Sequence, residues 1–301
     1  MADIQRILCP VDFSEGARHA LEHAIVFAKW YAAPITVFHV YSAPQPLVPI
    51  STVPGDVPLL PALQPEEVGE EVRRFCRPLT PADVSLAFAV KAGSPAKEIV
   101  RHADDISADL LIMGTHGRGG FERLILGSVT EKVLRTTQRP VLTVPPPVHT
   151  PAPGPATYKT ILCPLELSEA SSRALEYALS LAKEADARLI LLHVVEGVTE
   201  HPHPSEAAHF NVPEYHRYLE QDAMTRLKAA IPDEARTWCQ PEERVESGKA
   251  SREILRVAAD TRAELIVMGV HGKGAIDRWL FGSTTNHIIR EATCPVLTLR
   301  A

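Results

Sequence analysis

One string in this chain is written twice. Ile7-Leu-Cys-Pro-Val-Asp-Phe-Ser14 returns as Ile161-Leu-Cys-Pro-Leu-Glu-Leu-Ser168, 154 positions later, and His39-Val40 returns as His193-Val194 at the same offset. From Gly93/Gly248 the offset becomes 155 and holds through Met113/Met268, Gly127/Gly282 and Pro140/Pro295. A register kept that long with one net insertion marks a tandem duplication, so the fold must be one that works as two copies. With 301 residues, each copy is long enough to bury a core of its own.

Within the first copy the patterning alternates. Gln5–Pro10 reads as a strand, and Ser14 as the N-cap of a helix from Glu15 to Ala32 whose apolar stripe includes Ala20, Leu21, Ala24 and Phe27. Pro34–Val40 is a second strand, Glu66–Arg77 a helix, Val84–Val90 a third strand and Pro95–Ile106 a helix with proline correctly near its start. Asp109–Gly114, Ser128–Thr137 and Pro140–Val144 supply the fourth strand, last helix and fifth strand. Five strands alternating with four helices predict an α/β domain, a parallel sheet covered on both faces. The proline-rich stretch 41–65 predicts a surface loop. In the second copy its place is taken by Gly197–Asn211, rich in proline and histidine, and Glu214–Ala230 supplies the matching helix. Residues 145–157 hold six prolines in thirteen positions, which predicts an extended, stiff connection. We place the first domain at 1–147, the linker at 148–157 and the second domain at 158–301.

Composition narrows the setting. Hydrophobic residues make up 45% and charged residues 23%, a globular balance. A net charge of -6 without any lysine/arginine cluster gives no reason to expect a nucleic-acid or membrane-surface partner. No run approaches the roughly 20 apolar residues of a membrane span, and the first residues carry no signal core. Five cysteines without a C-x-x-C pair read as reduced thiols, with Cys9 and Cys163 as strand packing. The expectation is a cytoplasmic protein.

The chemistry gathers after the fourth strand. Met113-Gly-Thr-His-Gly-Arg-Gly-Gly runs on to Gly127-Ser128 at the opening of a helix, and Met268-Gly-Val-His-Gly-Lys-Gly runs on to Gly282-Ser283. Glycines 114, 117 and 127 let backbone approach a ligand. The helix N-terminus offers unpaired N–H groups and a positive dipole to a phosphate. In a doubly wound sheet ligands sit outside the carboxyl ends of the strands. There Asp12 can accept from ribose hydroxyls or an adenine amine, and Val40 with Met113 can pack a base.

Gly114-x2-Gly117-x9-Gly127-Ser128 and Gly269-x2-Gly272-x9-Gly282-Ser283, each with a Pro-x-Asp/Glu-x-Ser start at Pro10 and Pro164, resemble the nucleotide-binding signature of the universal stress protein (UspA) family. The resemblance covers nearly the whole chain. It implies two tandem Rossmann-like domains of the adenine nucleotide α-hydrolase kind, each a five-stranded parallel sheet of strand order 3-2-1-4-5 flanked by four helices. It also implies ATP as the usual ligand, with or without Mg²⁺. Carried over, Pro10, Asp12, Val40 and Met113 would meet ribose and base, and Gly114, Gly117, Gly127, Ser128 and Val129 the phosphates. The second set is Pro164, Glu166, Val194, Met268, Gly269, Gly272, Gly282, Ser283 and Thr284. Arg118 and Lys273 follow the second glycine and can screen phosphate charge. Glu166 departs from the family's aspartate, and its extra methylene pushes the carboxylate into ribose space, so the second site should bind more weakly. Family members commonly pair their fifth strands, which here would join Val141–Val144 to Val296–Leu299 as an intrachain pseudo-dimer, with further self-association of the chain expected.

Other readings are weaker. His116 and His271 have no accompanying nucleophile and read as loop histidines, and His39 and His193 as packing beside the site. His201, His203 and His209 lack a fourth metal ligand. Walker and Gly-x-Gly-x-x-Gly patterns are absent, which disfavours P-loop NTPases and nicotinamide dehydrogenases. The expectation is an ATP-binding regulatory protein with an unidentified protein partner and no catalytic residue. The alternative is a slow Mg²⁺-dependent ATPase or nucleotide transferase, and a third possibility is a scaffold with unused sites.

Overall fold

The computed structural model describes residues 3–41, 64–117, 126–147, 156–196, 212–270 and 282–300. The proline-rich stretch 42–63, the residues 148–155 of the linker and the His201, His203 and His209 group lie outside these residues. The first half runs β1 (Ile7–Pro10), α1 (Glu15–Tyr31), β2 (Ile35–Tyr41), α2 (Pro65–Cys76), β3 (Leu86–Ala92), α3 (Pro95–Asp105), β4 (Leu110–Gly114), α4 (Ser128–Thr136) and β5 (Val141–Val144). The second half runs β6 (Thr160–Pro164), α5 (Glu169–Ala185), β7 (Arg188–Val195), α6 (Val212–Ala230), β8 (Glu242–Ser247), α7 (Ala250–Thr261), β9 (Leu265–Gly269), α8 (Ser283–Glu291) and β10 (Val296–Leu299). A short 3-10 turn at Ala235–Thr237, which the periodicity does not signal, precedes β8.

All ten strands form one sheet in the order β3-β2-β1-β4-β5-β10-β9-β6-β7-β8. Each half is therefore parallel with the expected 3-2-1-4-5 order. The halves meet where β5 and β10 pair antiparallel, Leu142 opposite Leu297. That seam is closed by side chains as well as backbone: Thr143 Oγ1 donates to the Val296 carbonyl and Thr298 Oγ1 to the Val141 carbonyl, both at 3.1 Å. The two buried threonine hydroxyls are thereby paired, each to a carbonyl of the strand opposite.

Strand alternation distributes the core. Ile7, Cys9, Ile35 and Val37 face α1 and α2, while Leu8 and Phe38 face α3 and α4. Each of the two apolar layers continues into the second half, so the halves share both cores. Cys9 and Cys163 are fully buried, which pushes both thiols well above their usual pKa. The packing role expected for them fits that burial.

Tyr158, just before β6, is 1% exposed and sits against α1 of the first half, 5.6 Å from the Phe27 ring and 5.4 Å from that of Trp30. Its hydroxyl lies 2.5 Å from His23 Nδ1. His23 Nε2 is 3.4 Å from His19 Nε2, and His19 Nδ1 donates to Glu22 Oε2 at 3.0 Å. In the neutral imidazole, a proton on Nδ1 given to that carboxylate leaves His19 Nε2 as an acceptor. The arrangement that satisfies every group has Tyr158 donating to His23 and His23 donating to His19.

Candidate functional site

Each half has a cleft at the carboxyl ends of its first, second and fourth strands. Because the halves pair antiparallel, the carboxyl ends of their strands, and with them the two clefts, lie at opposite strand ends of the sheet. The first has a volume of about 570 Å³ and the second about 520 Å³. Both are within the range of roughly 300–1,000 Å³ common for small-molecule sites.

The turn from β1 into α1 forms one wall of the first cleft. Phe13 has φ 63° and Leu167, its counterpart, φ 57°. A bulky residue in the left-handed region costs on the order of 1–3 kcal/mol, and the same outlier in both halves is a built feature of the turn. It reverses the chain directly after Asp12. The Asp12 Oδ1 atom accepts from the Ser14 backbone N–H at 3.1 Å and from Ser14 Oγ at 2.5 Å. Ser14 Oγ in turn accepts from Ala17 N at 3.1 Å and caps α1. Asp12 is thus fixed by the helix start it precedes, and its other oxygen lies against Gly117. His39 Nδ1 donates to the Val11 carbonyl at 2.7 Å, tying the end of β2 to the same turn; His193 does the same to Leu165 at 2.6 Å. Both histidines hold the wall in place, as packing beside the site would require.

The opposite wall is the start of α4. Gly127 is its N-cap, and its N–H donates to the Thr115 carbonyl at 2.7 Å. Thr130 Oγ1 reaches back to the Gly114 carbonyl at 2.8 Å, fastening the first turn of the helix to the end of β4. Ser128, Val129, Thr130 and Glu131 line the cleft from that turn. The amide-rich helix start faces a concave space, an arrangement suited to an anion. Phe38, Val40, Ile99 and Met113 supply an apolar floor. The Phe38 ring is stacked against His102, ring centroids 4.3 Å apart and 16° from parallel, and burial lowers the pKa of that imidazole.

The second cleft repeats the plan with different chemistry. Pro164, Glu166, Val194, Met268, Gly269, Ser283 and Thr284 line it, with Leu192 where the first cleft has Phe38. Glu166 is exposed where Asp12 is half-buried. Ser171 now does what Asp12 does for Ser14: its hydroxyl accepts from the Ser168 N–H at 2.8 Å, completing a capping box. Glu196 adds a second carboxylate to this cleft and accepts from the Ala250 N–H at 2.8 Å.

A model of the universal stress protein family matches residues 3–145 and again residues 157–300. The chain belongs to the universal stress protein family. A universal stress protein of Methanocaldococcus jannaschii is 34% identical over 143 residues, 48% of this chain and 83% of its own length. A universal stress protein of Mycolicibacterium smegmatis is 26% identical over 300 residues, 98% of this chain and 96% of its own. The crystal structure of a universal stress protein from Archaeoglobus fulgidus has a TM-score of 0.60 at 21% identity, over 98% of this chain and 96% of that one, and so shares the fold.

Within the family's frame, Pro10, Asp12, Val40, Met113, Gly114, Gly117, Gly127, Ser128 and Val129 all come together around the first cleft. Gly282 adjoins the second as the N-cap of α8. Arg118, Gly272, Lys273 and His271 lie outside the described residues. His116 lines the first cleft and pairs with Thr115 Oγ1 at 2.8 Å from its Nδ1. Phe38, Thr130 and Glu131 line the first cleft, and Ser171 and Glu196 the second, although the motifs do not reveal them. Phe38 and Glu131 have a signal in hindsight: one is two residues before Val40 on the same strand, the other one turn into α4. Among the described residues no group of three or more histidine, cysteine or acidic side chains is arranged to hold a metal ion, and no helix is long and apolar enough to cross a membrane.

Proposed function

We propose that this chain is a nucleotide-binding regulatory protein, with ATP as the ligand of its first cleft, acting through binding and not through turnover. The observation that carries the reading is that one cleft gathers an apolar floor of Phe38, Val40 and Met113, the fixed carboxylate of Asp12 and the start of α4, the three kinds of group that a base, a ribose and phosphates require. Occupancy would fix the β1–α1 turn and the first turn of α4 against each other, favouring one arrangement of a surface that a partner protein reads. Such a protein would act in the cytoplasm, and further self-association is part of the same reading. The test is mass spectrometry of the denatured, purified protein, followed by calorimetric titration of nucleotide-free protein with ATP. Co-purified or added ATP bound at a ratio between one and two per chain is expected; no binding of any adenine nucleotide would sink the reading.

A second reading, slow Mg²⁺-dependent hydrolysis, is favoured by one feature: Glu131 brings a second carboxylate into the cleft that holds Asp12. With ATP bound, the two carboxylates would be the groups available to a Mg²⁺ ion, whose role would be to neutralise phosphate charge. Single-turnover assay with labelled ATP separates the readings. Product within seconds supports an enzyme, and intact bound ATP after hours supports a binder.

A further inference from the structure

Arg300 follows β10 in the second half, yet it is only 4% exposed and reaches the first half. Its Nη2 donates to the carbonyls of Leu134 and Arg135, both at 2.9 Å, in the last turn of α4. Those carbonyls have no partner within a helix and carry the negative end of its dipole, so a cation is the favoured group there. The backbone carbonyl of Arg300 accepts from Arg173 Nη1 at 2.7 Å, and Arg173 lies near the start of α5, close behind the capping residues Ser168 and Ser171 that line the second cleft.

The helix held in this way is the one whose other end forms the phosphate wall of the first cleft. With nine residues, α4 is too short to be stable or fixed in place on its own. Its position is set by Val133 and Leu134 in the core, by Thr130 at one end and by Arg300 at the other. The duplication shows that this last attachment is not part of the repeated plan. The residue corresponding to Arg300 in the first half is Pro145, which has neither an N–H nor a side-chain donor. Proline there cannot hold the carboxyl end of α8, so the attachment runs one way, from the second half to the first.

We infer that Arg300 is a positioning residue for the first cleft, supplied by the second half of the chain, which holds the carboxyl end of α4 so that the first turn of that helix stays where the ligand meets it. The first cleft is then complete only while the second half is docked. The inference rests on the nucleotide reading for its ligand, but its effect on α4 can be read without any ligand.

The experiment compares the parent with Arg300→Met, which keeps most of the volume while removing the buried charge, and with Arg300→Lys, which keeps a cation but not the two-carbonyl reach. Hydrogen exchange is followed at α4 and α8 in the free proteins, then at the start of each helix during an ATP titration, which reads the clefts separately. Losing two charge-assisted hydrogen bonds should speed α4 exchange about tenfold and weaken first-cleft binding about tenfold in Arg300→Met, with α8 and the second cleft within about twofold. Arg300→Lys should fall between, and it carries the test if Arg300→Met does not fold. Unchanged α4 exchange, or equal weakening of both clefts, overturns the inference. A parent that binds no ATP sinks the nucleotide reading instead, and leaves the α4 comparison to decide this one.

Discussion

The Asp12 carboxylate occupies the space where a side chain on Gly117 would begin. A Cβ built on Gly117 would lie 2.6 Å from Asp12 Oδ2, well inside contact distance. The glycine of the β4–α4 loop is therefore fitted to the acid of the β1–α1 turn. The two motifs of the first copy, about a hundred residues apart in sequence, are halves of one construction.

Gly117→Ala should consequently act on the ligand more than on the fold. Asp12 can rotate away from a new methyl group, but its Oδ1 holds Ser14, the cap of α1. Losing that arrangement should cost about 1 kcal/mol of stability, as a weakened N-cap does. First-cleft ATP affinity should fall about tenfold, because the carboxylate loses its aim and a charged hydrogen bond to ribose with it. Calorimetric titration beside a thermal melt checks both, and an unchanged affinity would show that Asp12 does not meet the ligand.

Asp12→Ala and Glu166→Ala should be unequal. Asp12 is half-buried and held by two hydrogen bonds, whereas Glu166 is exposed and Ser171 has taken over the bond to the turn. A preorganised carboxylate contributes more to binding than one that must be ordered first. The Asp12 variant should lose the tighter of two binding events, while the Glu166 variant changes the weaker one by less than about threefold. Equal losses would contradict the asymmetry.

The parts of this architecture that repeat within a few residues could be read directly. The short, wholly buried strands at Ile7–Pro10 and Val141–Val144 and the caps Ser14 and Ser168 are local properties, and the duplication writes each of them a second time. The cleft floor was only half legible: Val40 stood out at a strand end, whereas Phe38 looks like any core aromatic until register places it beside Val40. Ser171 illustrates the other limit. It stands where the first half has Ala17, and its meaning depends on a backbone N–H whose need is visible only in three dimensions. The Tyr158–His23–His19 chain and the Arg300 attachment arise from one half packing on the other, and no spacing within either half announces them.

The Tyr158–His23 contact should make stability depend on pH. Burial, with His19 nearby, lowers the pKa of His23 from 6.5 to about 3. The folded state therefore binds this proton less readily than the unfolded one. The contribution is fully present above about pH 6.5 and is lost progressively as pH falls toward 3. Near pH 5 the loss from this group alone is about 2 kcal/mol. His23→Gln should be less stable than the parent at pH 7, and the gap should narrow by about that amount at pH 5. Denaturant melts at the two pH values give the comparison directly; a gap that widens on acidification would reverse the sign and refute the assignment.

Phe38 and Leu192 occupy the same place in the two clefts, and exchanging them should move the preference for a base. In the first cleft the Phe38 ring is stacked against His102, whereas the second has an aliphatic floor at that point. Phe38 is only 1% exposed, so a base meets the edge of its ring, a contact worth roughly 0.5–1.5 kcal/mol beyond its area. Phe38→Leu should thus weaken ATP binding at the first cleft by about threefold to tenfold. Inorganic triphosphate, which has the phosphates but no base, should bind the variant and the parent alike. The fold should survive, because leucine already fills this position in the second half. Leu192→Phe should shift the second cleft the other way. Equal weakening of ATP and triphosphate by Phe38→Leu would mean that the ring supports the cleft as a whole and meets no base.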